Sequence, residues 1–127
     1  MAVAEERVFI AGAGPVGMTA AARLLRSGVP VTVFESGDNL STESRASTFH
    51  PSTLDMLEEL GAIEGLESQG IQARYLQYRS KDEGILARFD FDGIADLTRH
   101  PYRLQCEQWH LTRVLFVLLK DNPDFEL

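Results

Sequence analysis

Three glycines, Gly12, Gly14 and Gly17, fall within the stretch "VFIAGAGPVGMTAA". The spacing G-x-G-x-x-G suits a backbone that must hold a dinucleotide pyrophosphate. Gly12 lets the chain turn sharply, Gly14 lets backbone approach the phosphates, and Gly17 lets the next helix close on the strand. Amides left unpaired where that helix starts, with the positive end of its dipole, then attract the anion. Glu35 ends the following apolar run, near the roughly 20-residue offset at which a carboxylate meets a ribose hydroxyl. An acid there repels a 2′-phosphate and disfavours NADP as the bound nucleotide. NAD and FAD both remain open on these residues.

Holding such residues together takes a strand, a turn, a helix and a second strand. Arg7 to Ala11 is apolar on both faces, which predicts a buried strand of a covered parallel sheet. Pro15 to Ser27 is rich in helix formers, and Gly28 follows as a C-terminal stop. Val31 to Phe34 predicts the second strand, with Ala21, Leu24, Gly28 and Val31 filling the packing positions of one βαβ unit. Ser36 to Ser47 is polar loop. Pro51 then opens a second helix carrying Leu54, Leu57 and Leu60, with Gly61 as its stop and Glu58 and Glu59 toward water. A looser helical stretch runs to Gly70.

From Ala73 the period shortens to two. "ARYLQYR" and "ILARFDF" around "SKDEG" predict an antiparallel hairpin, and "DGIADLTRHPY" is irregular. Gln105 to Lys120 has helical spacing, Asn122–Pro123 ends it, and "DFEL" resembles the start of a strand. The fold class expected is therefore α/β, a Rossmann-like parallel sheet with an antiparallel hairpin insertion.

A net charge of −7 over 127 residues argues against nucleic acid and anionic membrane as partners. The longest apolar run, Val114 to Leu119, is too short for a bilayer, and the N-terminus has no secretory pattern. Cys106 is the sole cysteine and sits beside Glu107, which gives it neither a disulfide partner nor an activating cation. No Cys/His cluster has metal spacing. The balance points to a cytoplasmic protein.

The stretch "AGAGPVGMTAAARLLRSGVPVTVFES…SRASTFHPSTLDMLEELG" closely resembles the opening of the class A flavoprotein monooxygenases, the para-hydroxybenzoate hydroxylase-like aromatic hydroxylases. That resemblance selects FAD over NAD. It implies a para-hydroxybenzoate hydroxylase-like fold in which Gly12, Ala13, Gly14, Pro15, Val16 and Gly17 cradle the FAD pyrophosphate. Glu35 and Ser36 would serve the adenosine ribose, and Arg45 in "RAS" would touch the diphosphate region. Gln108 of "QWHLTRVL" matches a glutamine that contacts FAD in the family, with Gln105 as the alternative one turn earlier. The implied activity is NAD(P)H- and O2-dependent hydroxylation of a small aromatic substrate, and no residue of this chain is identified as catalytic.

The same resemblance divides the chain into a βαβ unit with its following helix at 1–72, the start of a substrate-domain hairpin at 73–103, and a helix and strand returning to the sheet at 104–127. Two further family motifs find no credible match. "DGIADLTR" imitates one through Asp92, Gly93 and Arg99, but Asp96 replaces a serine and the segment comes too early; Gly37–Asp38 is not the other. The chain thus reads as the N-terminal part of a larger enzyme, inactive alone. In such a sheet the Arg7–Ala11 edge lacks a later strand, so self-association through it, or covering of it, is expected. His50, His100 and His110 read as structural residues, and Trp109, Tyr75, Tyr78, Phe89 and Phe91 as packing residues, some of the hairpin aromatics being candidates to line a substrate cavity in a complete enzyme. Two rival readings stand beside this one. An amine-oxidase-like flavoenzyme would carry "GGR" after the acid where "SGDNLSTESR" stands, and a non-catalytic partial nucleotide-binding module would bind FAD weakly.

Overall fold

The computed structural model describes residues 6–127. It contains two compact units, the first running up to Ala46 and including Glu107–Leu127, the second being Ser47–Cys106. The expected boundaries at 72/73 and 103/104 both fall inside the second unit. Among the described residues no helix is long and apolar enough to cross a membrane.

The first unit holds a parallel sheet of β1 (Val8–Ala11), β2 (Val31–Phe34) and β8 (Phe125–Glu126), in the order β1-β2-β8. Helix α1 (Pro15–Arg26) joins β1 to β2 and buries Met18, Ala21 and Ala22. Their spacing of three and four makes one apolar stripe. The helix stops because Ser27 caps it and Gly28 follows at φ +75°, a left-handed turn that glycine adopts without strain. Helix α4 (Gln108–Leu119) packs against α1 and buries Leu111, Leu115 and Leu119 at spacing four. It begins three residues later than its periodicity suggests, because Gln105 belongs to a strand of the second unit.

Central β2 is the buried strand, with Val31 and Val33 fully enclosed. Strand β1 is not, contrary to the reading of its sequence as buried. Among the described residues it pairs with β2 alone, and Phe9 is 67% exposed. A methyl added at Gly17 of α1 would meet Ile10 Cγ2 at 3.3 Å, so Ile10 faces the helix and alternation turns Phe9 to the opposite, uncovered face. There its ring lies 5.8 Å from that of Phe34, itself exposed. The apolar residues on both faces of β1 are real, but only one face is covered here.

The second unit begins with β3 (Thr48–Phe49), α2 (Pro51–Glu59) and α3 (Ile63–Glu67). Leu54, Leu57 and Leu66 are fully buried, and Gly61 at φ +74° turns the chain between the two helices. Strands β4 (Ile71–Ala73) and β7 (Arg103–Gln105) complete a small antiparallel sheet with the order β3-β7-β4. The hairpin is β5 (Tyr75–Ser80) with β6 (Gly84–Asp90), antiparallel and bulged between Tyr78 and Arg79. Tyr75, Tyr78 and Phe89 do not act as packing residues. All three are exposed, because a two-stranded ribbon has no second layer to bury them. Tyr78 and Phe89 meet edge to face, and Arg88 lies over the Tyr75 ring at 3.8 Å.

Candidate functional site

The turn after β1 has the geometry its glycines predict. Gly12 stands at φ +99°, where a side chain would be strained, and a methyl on Gly17 would overlap the Gly12 carbonyl. Gly17 therefore serves packing between helix and turn. Around Gly12 and Gly14, by contrast, a methyl would meet nothing within 4 Å. The turn is open above and closed below.

Gly14 is the N-cap of α1, with no side-chain cap, and the first intrahelical bond runs from the Met18 amide to the Gly14 carbonyl. The Val16 and Gly17 amides precede that ladder and have no intrahelical acceptor. Proline at the first helical position removes a third donor that would otherwise stand unpaired.

Glu35 stands just past the end of β2, beside this turn. One carboxylate oxygen accepts the Ala13 amide at 2.8 Å and the other accepts the Gly37 amide at 3.0 Å. These bonds, that from Gly37 first and that from Ala13 second, hold its pKa below the ordinary carboxylate value. The acid is charged at neutral pH, and Oε2, with the Ala13 amide as its donor, keeps a lone pair for a further one.

Gly12, Ala13, Gly14, Pro15, Glu35, Arg45 and Gln108 line one cavity of about 270 Å³. Three of the residues named from sequence are not in that lining. Val16 points to solvent at 84% exposure, Gly17 packs against Gly12, and Ser36 is exposed with its hydroxyl 3.5 Å from Glu35 Oε1. For Val16 and Gly17 only the amides remain available.

Arg45 reaches the cavity from the loop after β2, where its Nη2 meets Glu43 Oε2 at 2.9 Å. Gln108 is the first residue of α4, and its amide donates to the Ala46 carbonyl at 2.9 Å. That bond joins the Arg45 loop to the start of α4. Gln105 lies elsewhere, in β7, where its side-chain carbonyl accepts the Thr48 hydroxyl at 3.1 Å, and it is not in this lining.

Sequence reasoning did not anticipate that Ser41, Glu43, Trp109 and Thr112 share this lining. Trp109 is not a core packing residue. It stacks on His110 with ring centroids 3.6 Å apart, and its Nε1 donates to Glu107 Oε2 at 2.7 Å. Its position beside Gln108 at a helix start was a legible signal. The lining also joins the starts of α1 and α4, neither capped by a side chain. Two positive dipole ends thus meet at one cavity, an arrangement suited to an anion.

The segment Asp92–Arg99 is occupied structurally. Arg74 pairs with Asp90 at 3.1 Å and also with Asp92, while Arg99 pairs with Glu58 at 2.6 Å. Within the second unit His100 is buried, and its Nδ1 donates to Asp55 Oδ1 at 2.7 Å. Thr98 donates to the same oxygen at 2.9 Å and accepts the His100 amide at 3.0 Å. This closed polar triangle ties α2 to the segment before β7. His50 is the N-cap of α2, as its place before Pro51 suggested.

Residues 5–126 match the family described as FAD binding domain. The chain is 28% identical over 120 residues to para-nitrophenol 4-monooxygenase of Pseudomonas sp. (strain WBC-3), a match spanning 94% of this chain and 30% of the relative. It is 33% identical over 109 residues to 6-methylpretetramide 4-monooxygenase of Streptomyces rimosus, spanning 86% of this chain and 19% of that one. The crystal structure of p-nitrophenol 4-monooxygenase PnpA from Pseudomonas putida DLL-E4 superposes with a TM-score of 0.86 at 29% identity, over 95% of this chain and 31% of that one. The chain thus spans between about a fifth and a third of the length of these relatives.

Proposed function

Because the chain belongs to the FAD binding domain family, we propose that its first unit holds the adenosine diphosphate half of FAD for an aromatic-ring monooxygenase. The observation that carries this reading is the shared lining. Gly12–Pro15, Glu35, Arg45 and Gln108 come from four separate segments and meet at one cavity. Its size, about 270 Å³, suits part of a dinucleotide rather than the whole.

Each group has a task within its reach. The open turn at Gly12 and Gly14 admits a diphosphate to backbone distance, and the Val16 and Gly17 amides offer donors to it. Glu35 accepts a hydrogen bond from a ribose hydroxyl through a lone pair its backbone donors leave free, with Ser36 beside it. Arg45 neutralises phosphate charge, and the Gln108 amide group donates from the start of α4. When bound, the flavin supplies the redox chemistry by which a reduced nicotinamide nucleotide and dioxygen hydroxylate an aromatic ring. The para-nitrophenol and pretetramide monooxygenases named above support that substrate class. We assign 1–72 and 104–127 to the cofactor-binding part and the 73–103 hairpin to the beginning of a substrate-facing domain.

Titration of the purified chain with FAD and with ADP tests the reading. Trp109 is the chain's single tryptophan and lines the cavity, so its fluorescence reports occupancy. Saturation is expected at about micromolar or weaker ligand, since only half of the cofactor is gripped. A flat response to both ligands would overturn the proposal.

Among the described residues β1 pairs with β2 alone, and this edge, with Phe9 and Phe34 exposed beside it, supports a second proposal, self-association through it.

A further inference from the structure

The side chains of the cavity that would take a diphosphate carry a formal excess of acid, set against the two helix starts that favour an anion. Glu35, Glu43 and Arg45 are the charged residues of its lining, two carboxylates against one guanidinium. An anion entering such a site meets a formal excess of negative charge unless one acid withdraws.

The two acids differ in how they are held. Glu35 is fixed by the Ala13 and Gly37 amides, one to each oxygen. Glu43 has its amide on Ser41 Oγ at 3.2 Å, while its carboxylate meets the Arg45 side chain, Oε2 accepting from Nε at 3.3 Å and from Nη2 at 2.9 Å. Both members of that pair are mostly exposed, 79% for Arg45 and 72% for Glu43. An exposed ion pair of this kind is weak and exchanges readily for a better anion. It presents one edge of the guanidinium to a carboxylate, much as a phosphate would be met.

From this geometry we propose that Glu43 is a placeholder for the ligand's diphosphate, and thereby sets the cavity's affinity and its preference for anionic ligands. With no ligand it occupies the Arg45 fork. A diphosphate spanning from the α1 start to Arg45 displaces it, and the Glu43 carboxylate swings to solvent with the exposed loop. A ligand without phosphate cannot compete for the fork and gains nothing from its release. This inference rests on the binding reading above and assigns a role to a residue outside that set.

The test compares wild type, Glu43→Gln and Arg45→Gln in titrations with ADP and with adenosine, read by Trp109 fluorescence and by calorimetry at two salt concentrations. Glu43→Gln is expected to bind ADP about three- to tenfold tighter at low salt, with the gain shrinking as salt rises. Its adenosine affinity stays at the wild-type value, and Arg45→Gln weakens ADP alone. Unchanged or weaker ADP binding by Glu43→Gln, with wild type binding normally, overturns the placeholder while sparing the binding reading. Equal tightening for adenosine and ADP also overturns it, since the effect would then not be exchange at the fork. Absence of ADP binding in all three proteins overturns both. Circular dichroism of each variant confirms that the exposed loop substitutions leave the fold intact.

Discussion

Glu35 and Ala13 are joined by a 2.8 Å bond from a backbone amide to a carboxylate, across the mouth of the glycine turn. The bond holds the acid at the rim of the cavity. It also means that the acid belongs to the turn even without a ligand.

The first prediction concerns that acid. Its pKa lies below the ordinary 4.5 because the Gly37 and Ala13 amides favour the charged form. A depressed carboxylate contributes fully above its unfolded value and loses that contribution as pH falls through the lower, folded one. Glu35 is therefore charged in the free protein from neutral pH to below 4.5, and its share of ADP binding is expected to be lost only as pH falls through that depressed value. Glu35→Gln should weaken ADP by on the order of tenfold at pH 7 and remove the acid limb. Calorimetric titration across pH checks both, and a variant that keeps the wild-type limb would show that another group titrates.

Gly14 and Gly17 should fail in opposite ways. A methyl at Gly17 overlaps the Gly12 carbonyl and crowds Ile10, both fixed by the sheet, so Gly17→Ala should cost roughly 1–3 kcal/mol of stability. At Gly14 the φ of −75° suits any residue and the space is empty, so Gly14→Ala should leave stability within about 0.5 kcal/mol. Its methyl would nonetheless intrude where the diphosphate must approach, and ADP affinity should drop. Urea unfolding set beside ADP titration separates the two. Equal stability losses would contradict the geometry.

Asp55 and His100 predict a local stability effect in the second unit. The hydrogen bond from His100, ahead of that from Thr98, holds the Asp55 pKa below 3.8. Its contribution is complete above that value and is lost as acid carries the pH through the lower one. Asp55→Asn leaves the buried His100 ring without its carboxylate and should destabilise by about 1–3 kcal/mol near neutrality, with a shallower acid transition. Hydrogen exchange of α2 amides would read the change, and unaltered protection would deny the triangle its role.

Charge on the sheet edge provides the last test. Phe9→Lys places an ammonium on the uncovered face of β1, beside the edge that pairs with no strand among the described residues, a substitution that opposes strand pairing. Wild type is expected to show concentration-dependent association by light scattering, and the variant to lose it. A wild-type monomer at every concentration, with β1 amides exchanging freely, would reject association through this edge.

Much of the first unit was readable from local pattern. Gly12, Gly14 and Gly17 announced a turn, the run of helix formers after Pro15 a helix, and Gly28 its end, because each signal is local in the chain. The second unit was readable only in part. β3, β4 and β7 are two or three residues long, too short for a period to declare itself. They exist because Thr48 and Ile71 both find Gln105 across gaps of 57 and 34 positions. The same pairing explains the late start of α4.

The amino-acid sequence by itself determined the glycine turn after β1, the acid at the end of β2 and the α/β class, since these follow from backbone freedom and from apolar spacing along one short stretch. Tertiary structure alone decided that the start of α4 joins the start of α1 around one cavity, that Glu43 shares it with Arg45, and that Phe9 of β1 is left exposed. Those relationships depend on which distant segments come to pack together, and the energy of packing is set by neighbours in space rather than by neighbours in sequence.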